Sequence, residues 1–251
     1  MKAISFIAAF LMAIVFDIGS HALADECVKV SLLYNERTPY LITSGDRVTG
    51  LTADPVAKAF EKAGIHYQWV STPAKRQILI LQENCGCDCG VGWFKNPDRE
   101  KFALFSTTIY KDEPQVAIVR KDDMRIKDAS TLGEVLDDKQ LRLLIKDGYS
   151  YGALLDEIIE KGTPTIIKTT AENVNMISMI KNHRGDYFIL APEEAESLVK
   201  EAGFKMSDFR LVAFSDMPPG NVRYLMCSKK VGGNTLKIIS EALSGIVQLS
   251  N

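Results

Sequence analysis

The sequence predicts an α/β protein of two lobes on mainly parallel sheets, and three observations predict it. Short runs rich in β-branched and aromatic residues alternate with amphipathic segments through almost all of the chain after Cys27. The alternation breaks once, where Phe105–Tyr110 runs without a helix into Gln115–Val119, and then begins again. The most turn-like stretch, Ser215-Asp-Met-Pro-Pro-Gly220, comes late, so the chain is expected to cross between lobes twice.

Each element has its own signal. Val28–Leu33 reads as a strand. Thr52-Ala-Asp-Pro55 opens a helix with a capping side chain and a proline in the first turn; Val56, Phe60 and Ala63 share one face, and Gly64 stops it. His66–Val70 is a strand, Pro73–Gln82 a helix and Cys87–Phe94 a third strand. In the second set, Thr131-x-x-Glu134 and Thr169-x-x-Glu172 are capping-box patterns that open helices. Leu141–Ile145, Thr165–Ile167 and Tyr187–Leu190 are its strands. Arg223–Cys227 is the last strand, followed by a helix with Leu236, Ile239, Leu243 and Ile246 on one face. The expected lobes are residues 25–112 with 220–251, and residues 113–219.

The first residues point to export. Lys2, the apolar run Ala3–Phe16 and the small-residue ending Ala22-Leu23-Ala24 read as a signal peptide over residues 1–24, cleaved before Asp25. Glu26 before Cys27 does not fit a lipoprotein site, so the expected product is a soluble periplasmic protein. A hydrophobic content of 46% supports a real core, and a net charge of −2 leaves no basic stripe for a nucleic-acid backbone.

The cysteines agree with an oxidising compartment. Cys85-Gly-Cys87-Asp-Cys89 has the wrong spacing for structural zinc, and only His66 and His183 follow the leader, so neither metal nor cofactor is expected. Cys27 opens one strand and Cys85–Cys87 open another. If these are parallel neighbours, Cys27 pairs with Cys85 or Cys87. Five cysteines leave at least one thiol free or paired outside the chain.

Three stretches carry a family resemblance: Thr38-Pro39-Tyr40, Thr49-Gly50-Leu51-Thr52-Ala53-Asp54, and Asn96-Pro97-Asp98-Arg99-Glu100-Lys101 followed by Phe105-Ser106 and Tyr110. Together they resemble the bacterial extracellular solute-binding proteins of the amino-acid type. The resemblance implies a type II periplasmic-binding-protein, or Venus-flytrap, fold that closes on a small carboxylate ligand such as an amino acid. It also implies an ABC-type permease as membrane partner; with no exposed heptads, a monomer is the default. Closure is expected about Lys111–Pro114 and Pro218–Val222.

The resemblance assigns the ligand carboxylate to Arg99, whose planar guanidinium can meet it with two charge-assisted hydrogen bonds. Asp147-Gly-Tyr149-Ser150-Tyr-Gly152, between a strand and a helix, resembles the family's Gly-Thr-Ser loop; its backbone N–H groups and the Ser150 hydroxyl would hold the same carboxylate. Tyr40, Trp93 and Phe94 are the expected apolar wall, with Tyr149 beside Ser150. Arg76 resembles an arginine at that helix start in relatives; it either faces the cleft or covers apolar surface with its stem.

Two departures stand out. Ala191 occupies the place where amino-acid binders carry an acid for the ligand ammonium, leaving Glu193 or Glu194 to substitute. Arg37 stands where an aromatic often stacks on the ligand, and Gly92, Trp93 and Phe94 replace the usual serines. The competing functions are a dehydratase-like enzyme, with Glu193 or Glu194 as general acid, and a ligand-binding co-receptor for a sensor. No nucleophile–base pair or Gly-x-Ser-x-Gly elbow is present.

Overall fold

A computed structural model describes residues 27–247; the expected signal peptide, residues 1–24, lies outside them. In chain order the first part contains β1 (Val30–Tyr34), β2 (Ile42–Ser44), β3 (Arg47–Thr49), α1 (Ala53–Ala63), β4 (Tyr67–Ser71), α2 (Ala74–Glu83), β5 (Asp88–Phe94), α3 (Pro97–Glu100) and β6 (Ala103–Lys111). Then come β7 (Val116–Arg120), α4 (Leu132–Asp137), β8 (Arg142–Lys146), α5 (Ala153–Lys161), β9 (Thr165–Thr169), α6 (Asn173–Lys181), β10 (Tyr187–Leu190), α7 (Pro192–Glu201) and β11 (Phe209–Val212). β12 (Val222–Ser228) and α8 (Gly233–Ser244) complete the described chain.

Two five-stranded sheets result, ordered β4-β1-β5-β12-β6 and β11-β7-β10-β8-β9, with β2 and β3 forming a separate hairpin. In the first, β1 runs parallel to β4 and β5, while β12 runs antiparallel to β5 and β6. In the second, β8 runs parallel to β9 and β10, and β7 antiparallel to β10 and β11. Parallel pairing is therefore only half of each sheet, less than the alternation predicts. Helical crossovers supply the parallel pairs, whereas β6, β7, β11 and β12 flank the two lobe-to-lobe connections and have no helix to turn them.

Those connections, residues 112–115 and 213–221, lie side by side: the Asp112 N–H donates to the Asn221 carbonyl at 2.8 Å. A Cβ on Gly220 would stand 1.7 Å from the Asp112 carbonyl oxygen, so no side chain fits there. Each sheet has its own core. Leu32, Phe60, Leu225 and Ile239 are sealed in the first; Ala117, Leu143, Ile177 and Phe188 are sealed against the faces of the second.

Local chemistry sets the helix ends. Gly64 takes φ 66° and donates its N–H to the Glu61 and Phe60 carbonyls, ending α1. The capping box at Thr131 and Glu134 forms around α4. The second expected box does not. Glu172, not Thr169, is the residue before α6, and its carboxylate reaches Lys146 Nζ at 2.5 Å. Nor does the Thr52 hydroxyl cap α1; it donates to the Tyr40 carbonyl at 3.0 Å and ties the helix start to the preceding loop.

Cys27 is bonded to Cys87, and Cys89 to Cys227 directly across β5 and β12; Cys85 is exposed and free. In the second lobe Asp186 is sealed among arginines, accepting from Arg142 Nε and Arg125 Nη2 at 2.9 Å each and from Arg120 Nη2 at 3.3 Å. Among the described residues no helix is long and apolar enough to cross a membrane, and no group of three or more His, Cys, Asp or Glu could hold a metal ion.

Candidate functional site

A cavity lies where the lobes meet. Arg37, Tyr40, Trp93, Phe94, Arg99 and Arg223 reach it from the first lobe, and Tyr149 and Ser150 from the second.

The wall is held from beneath. Tyr40 is buried because residues 39–40 lie over the start of α1: the Leu51 N–H donates to the Pro39 carbonyl and the Thr52 N–H to that of Tyr40. A Cβ at Gly50, whose φ is 119°, would sit 2.5 Å from that Pro39 oxygen, so this approach requires glycine. Trp93 donates Nε1–H to Gln77 Oε1 at 2.9 Å, and the Gln77 amide donates to the Thr72 carbonyl at 2.8 Å. The indole is thus fixed to α2.

Arg99 lies on the one-turn helix α3, whose first N–H groups are capped by Asn96 Oδ1 accepting from the Arg99 N–H at 2.9 Å. Its guanidinium carbon stands 4.7 Å from the Trp93 ring centre, and Nη1 donates to the Phe94 carbonyl at 2.7 Å. The residue is 7% exposed, and no carboxylate oxygen stands within 4.0 Å of its guanidinium nitrogens among the described residues. Burial lowers its pKa, opposed by Asp156 and Tyr149.

The other cations of the cleft are paired. Arg37 donates Nε–H and Nη2–H to the two oxygens of Glu194 at 2.8 and 2.7 Å, a fork-to-fork ion pair between the lobes. Glu194 is fully buried; burial alone would raise its carboxyl, but Arg37 holds it below the ordinary range. Arg223 meets Asp112, and Lys146 meets Glu172. Tyr149 lies between Arg37 and Lys146, 5.8 and 4.4 Å from its ring centre.

Several sequence-predicted residues sit differently than expected. Ser150 lines the cavity, but its hydroxyl donates to Asp156 and accepts the Gly152 N–H at 3.2 Å. The Tyr151 N–H also goes to Asp156, at 2.7 Å. Asp156, in the first turn of α5, therefore takes the donors assigned to a ligand carboxylate. Arg76 does not reach the cavity: its exposed guanidinium lies 3.6 Å from Glu83 on the same helix. Glu193 is outside too, accepting from Tyr110 Oη at 3.4 Å. The acid in the cleft is its neighbour Glu194, and its partnership with Arg37 spans 157 residues of sequence. The only sequence signal for it was Arg37 standing at an aromatic position.

Residues 32–245 match the sequence profile of the bacterial extracellular solute-binding proteins, family 3. The chain belongs to that family. No curated protein sequence matches this family 3 chain. It is similar in fold to the substrate binding protein of an amino acid ABC transporter, with a TM-score of 0.68 at 17% identity over 87% of this chain and 92% of that one. ArtJ, the arginine-, lysine-, histidine-binding protein of Geobacillus stearothermophilus, gives a TM-score of 0.69 at 16% identity, covering 88% of this chain and 89% of its own. A double mutant of the BvgS VFT2 domain of Bordetella pertussis gives a TM-score of 0.69 at 16% identity over 88% of each chain. At such identities the likeness establishes the fold: this family 3 protein has the two-lobed type II periplasmic-binding-protein architecture.

Proposed function

We propose that this chain is an extracytoplasmic solute-binding protein that holds a small carboxylate-bearing ligand between its lobes and presents it to an ABC-type permease. One observation carries the reading: Arg99 is buried, fixed against Trp93, and left without an anionic partner at the wall of the interlobe cavity. A buried cation without a partner is costly, and a ligand carboxylate supplies the missing charge.

Family membership supports capture over catalysis, and arginine-bound neighbours such as a mutant of ArgBP from T. maritima indicate an amino-acid-sized ligand. Glu194 argues against a dehydratase: a carboxyl held ionised by Arg37 is a poor general acid. In this reading the lobes are residues 25–112 with 220–251, and 113–219, closing about the two adjacent connections as a monomer. The leader at residues 1–24 and the two disulfides favour a periplasmic location.

The test is thermal denaturation of residues 25–251 against amino acids, small organic acids and polyamines, with Arg99→Ala alongside. A ligand at a hundred times its Kd stabilises the folded state by about 2.7 kcal/mol. A carboxylate should raise Tm for the wild type and not for the variant. An equal response in both, or none to any carboxylate, overturns the assignment of Arg99.

A further inference from the structure

Glu194 is the one carboxylate that lines the two adjoining cavities of the interlobe cleft among the described residues that border them. It is fully buried, and both of its oxygens are taken by Arg37. Arg37 comes from the loop after β1 in the first lobe, Glu194 from the first turn of α7 in the second. The guanidinium is itself held, 5.3 Å from the ring centre of Tyr40 and 5.8 Å from that of Tyr149. A ligand ammonium or guanidinium entering this cleft would meet Arg37, Arg99 and Arg223, and no carboxylate free to receive it. Burying such a charge unpaired costs several kcal/mol.

We infer that Arg37 is a specificity-determining residue: its guanidinium occupies Glu194 from within the protein, so that the cleft accepts carboxylates without a cationic amino group and rejects amino acids and other cations. The inference rests on the reading of the cleft as a ligand site and narrows it. Asp156 plays the matching part for anions in the second lobe, where it takes Ser150 Oγ–H and the Tyr151 N–H. Among the described residues that line the cleft, Arg99 alone is left to hold a ligand charge. The cleft of this chain thus selects against the α-ammonium that an amino-acid site must recognise.

The experiment uses residues 25–251 and probes that differ only in an amino group: glutarate against glutamate, and 3-phenylpropionate against phenylalanine. Half-saturating concentrations are read from thermal shifts for the wild type, Arg37→Ala and Arg37→Ala with Glu194→Gln. The wild type should favour the amino-free member at least tenfold, Arg37→Ala should reverse that order, and the double variant should lose the reversal. Methylguanidinium gives a second measurement that needs Glu194 and not Arg99. It should raise the Tm of Arg37→Ala and leave the wild type and the double variant unmoved.

A wild type that favours the amino compounds overturns the inference, as does methylguanidinium failing to rescue Arg37→Ala. If methylguanidinium rescues but no carboxylate binds, Arg37 keeps its role and the assignment of Arg99 fails instead. Should Arg37→Ala not fold, Arg37→Gln removes the cation while keeping a donor for Glu194, and the same orders are read from it.

Discussion

Arg223 donates Nε–H to Asp112 Oδ1 at 2.6 Å, joining the end of β6 to the start of β12 with both side chains sealed from water. These are the strands by which the chain leaves and re-enters the first lobe. The same guanidinium stands 3.9 Å from the Tyr40 ring centre and 4.8 Å from that of Phe94, so one side chain ties the connection to the cavity wall. Burial pushes the Asp112 carboxyl up, and Arg223 only partly offsets this.

Removing the arginine leaves that carboxylate buried alone. Arg223→Met is expected to cost about 3–5 kcal/mol, measured as a lower urea midpoint at unchanged slope. Adding Asp112→Leu should recover most of the loss. If the double variant is no more stable than the single one, the buried charge is not the cause.

Gly220 packs against the backbone of the outgoing connection, where its Cβ would collide with Asp112. Gly220→Ala should force the two connections apart and cost about 1–3 kcal/mol in calorimetry. Gly233→Ala, at a helix start with nothing within 4 Å, is the control and should be neutral or slightly stabilising. Equal effects at the two positions would contradict the clash.

Burial alone would raise the Asp186 carboxyl, but hydrogen bonds from Arg142 and Arg125 hold it well below the ordinary carboxylate range. Its contribution to stability is therefore present above the unfolded value of about 3.9 and is lost as pH falls through and below it. Asp186→Asn should cost about 2–3 kcal/mol at pH 7, from loss of charged hydrogen bonds. The gap between variant and wild type should narrow steadily from about pH 5 downward in acid titrations of the denaturation midpoint. A gap independent of pH would assign the cost to packing.

The sequence made the architecture legible wherever the signal was local. Gly64 stops α1 as its position implies, and the Tyr187–Leu190 strand has the bounds that the apolar run gives it. Cys27 meets Cys87, one of the two partners that parallel neighbours allowed. The hairpin β2–β3 and the strand β11 were missed because three or four residues show too little alternation to stand out.

The site was legible in its first-lobe wall: Tyr40, Trp93, Phe94 and Arg99 all border the cavity. What the sequence left open were choices between chemically equal candidates. Glu193 and Glu194 are consecutive acids in one helical turn, and only the direction of α7 decides which enters the cleft. Ser150 reads as a free hydroxyl until Asp156, six residues on, is seen folded back onto it.

The position of β12 between β5 and β6 has a consequence for biosynthesis. Threaded out from its N-terminus, the chain delivers every strand of the second sheet before residue 222, while the first sheet still lacks its penultimate member. Cys27 and Cys87 are both available early, but Cys89 must wait for Cys227. The half of the molecule that emerges first is thus the half that finishes last. A nascent chain halted just short of β12 would carry one completed sheet, one oxidised pair, and β6 with no neighbour to join.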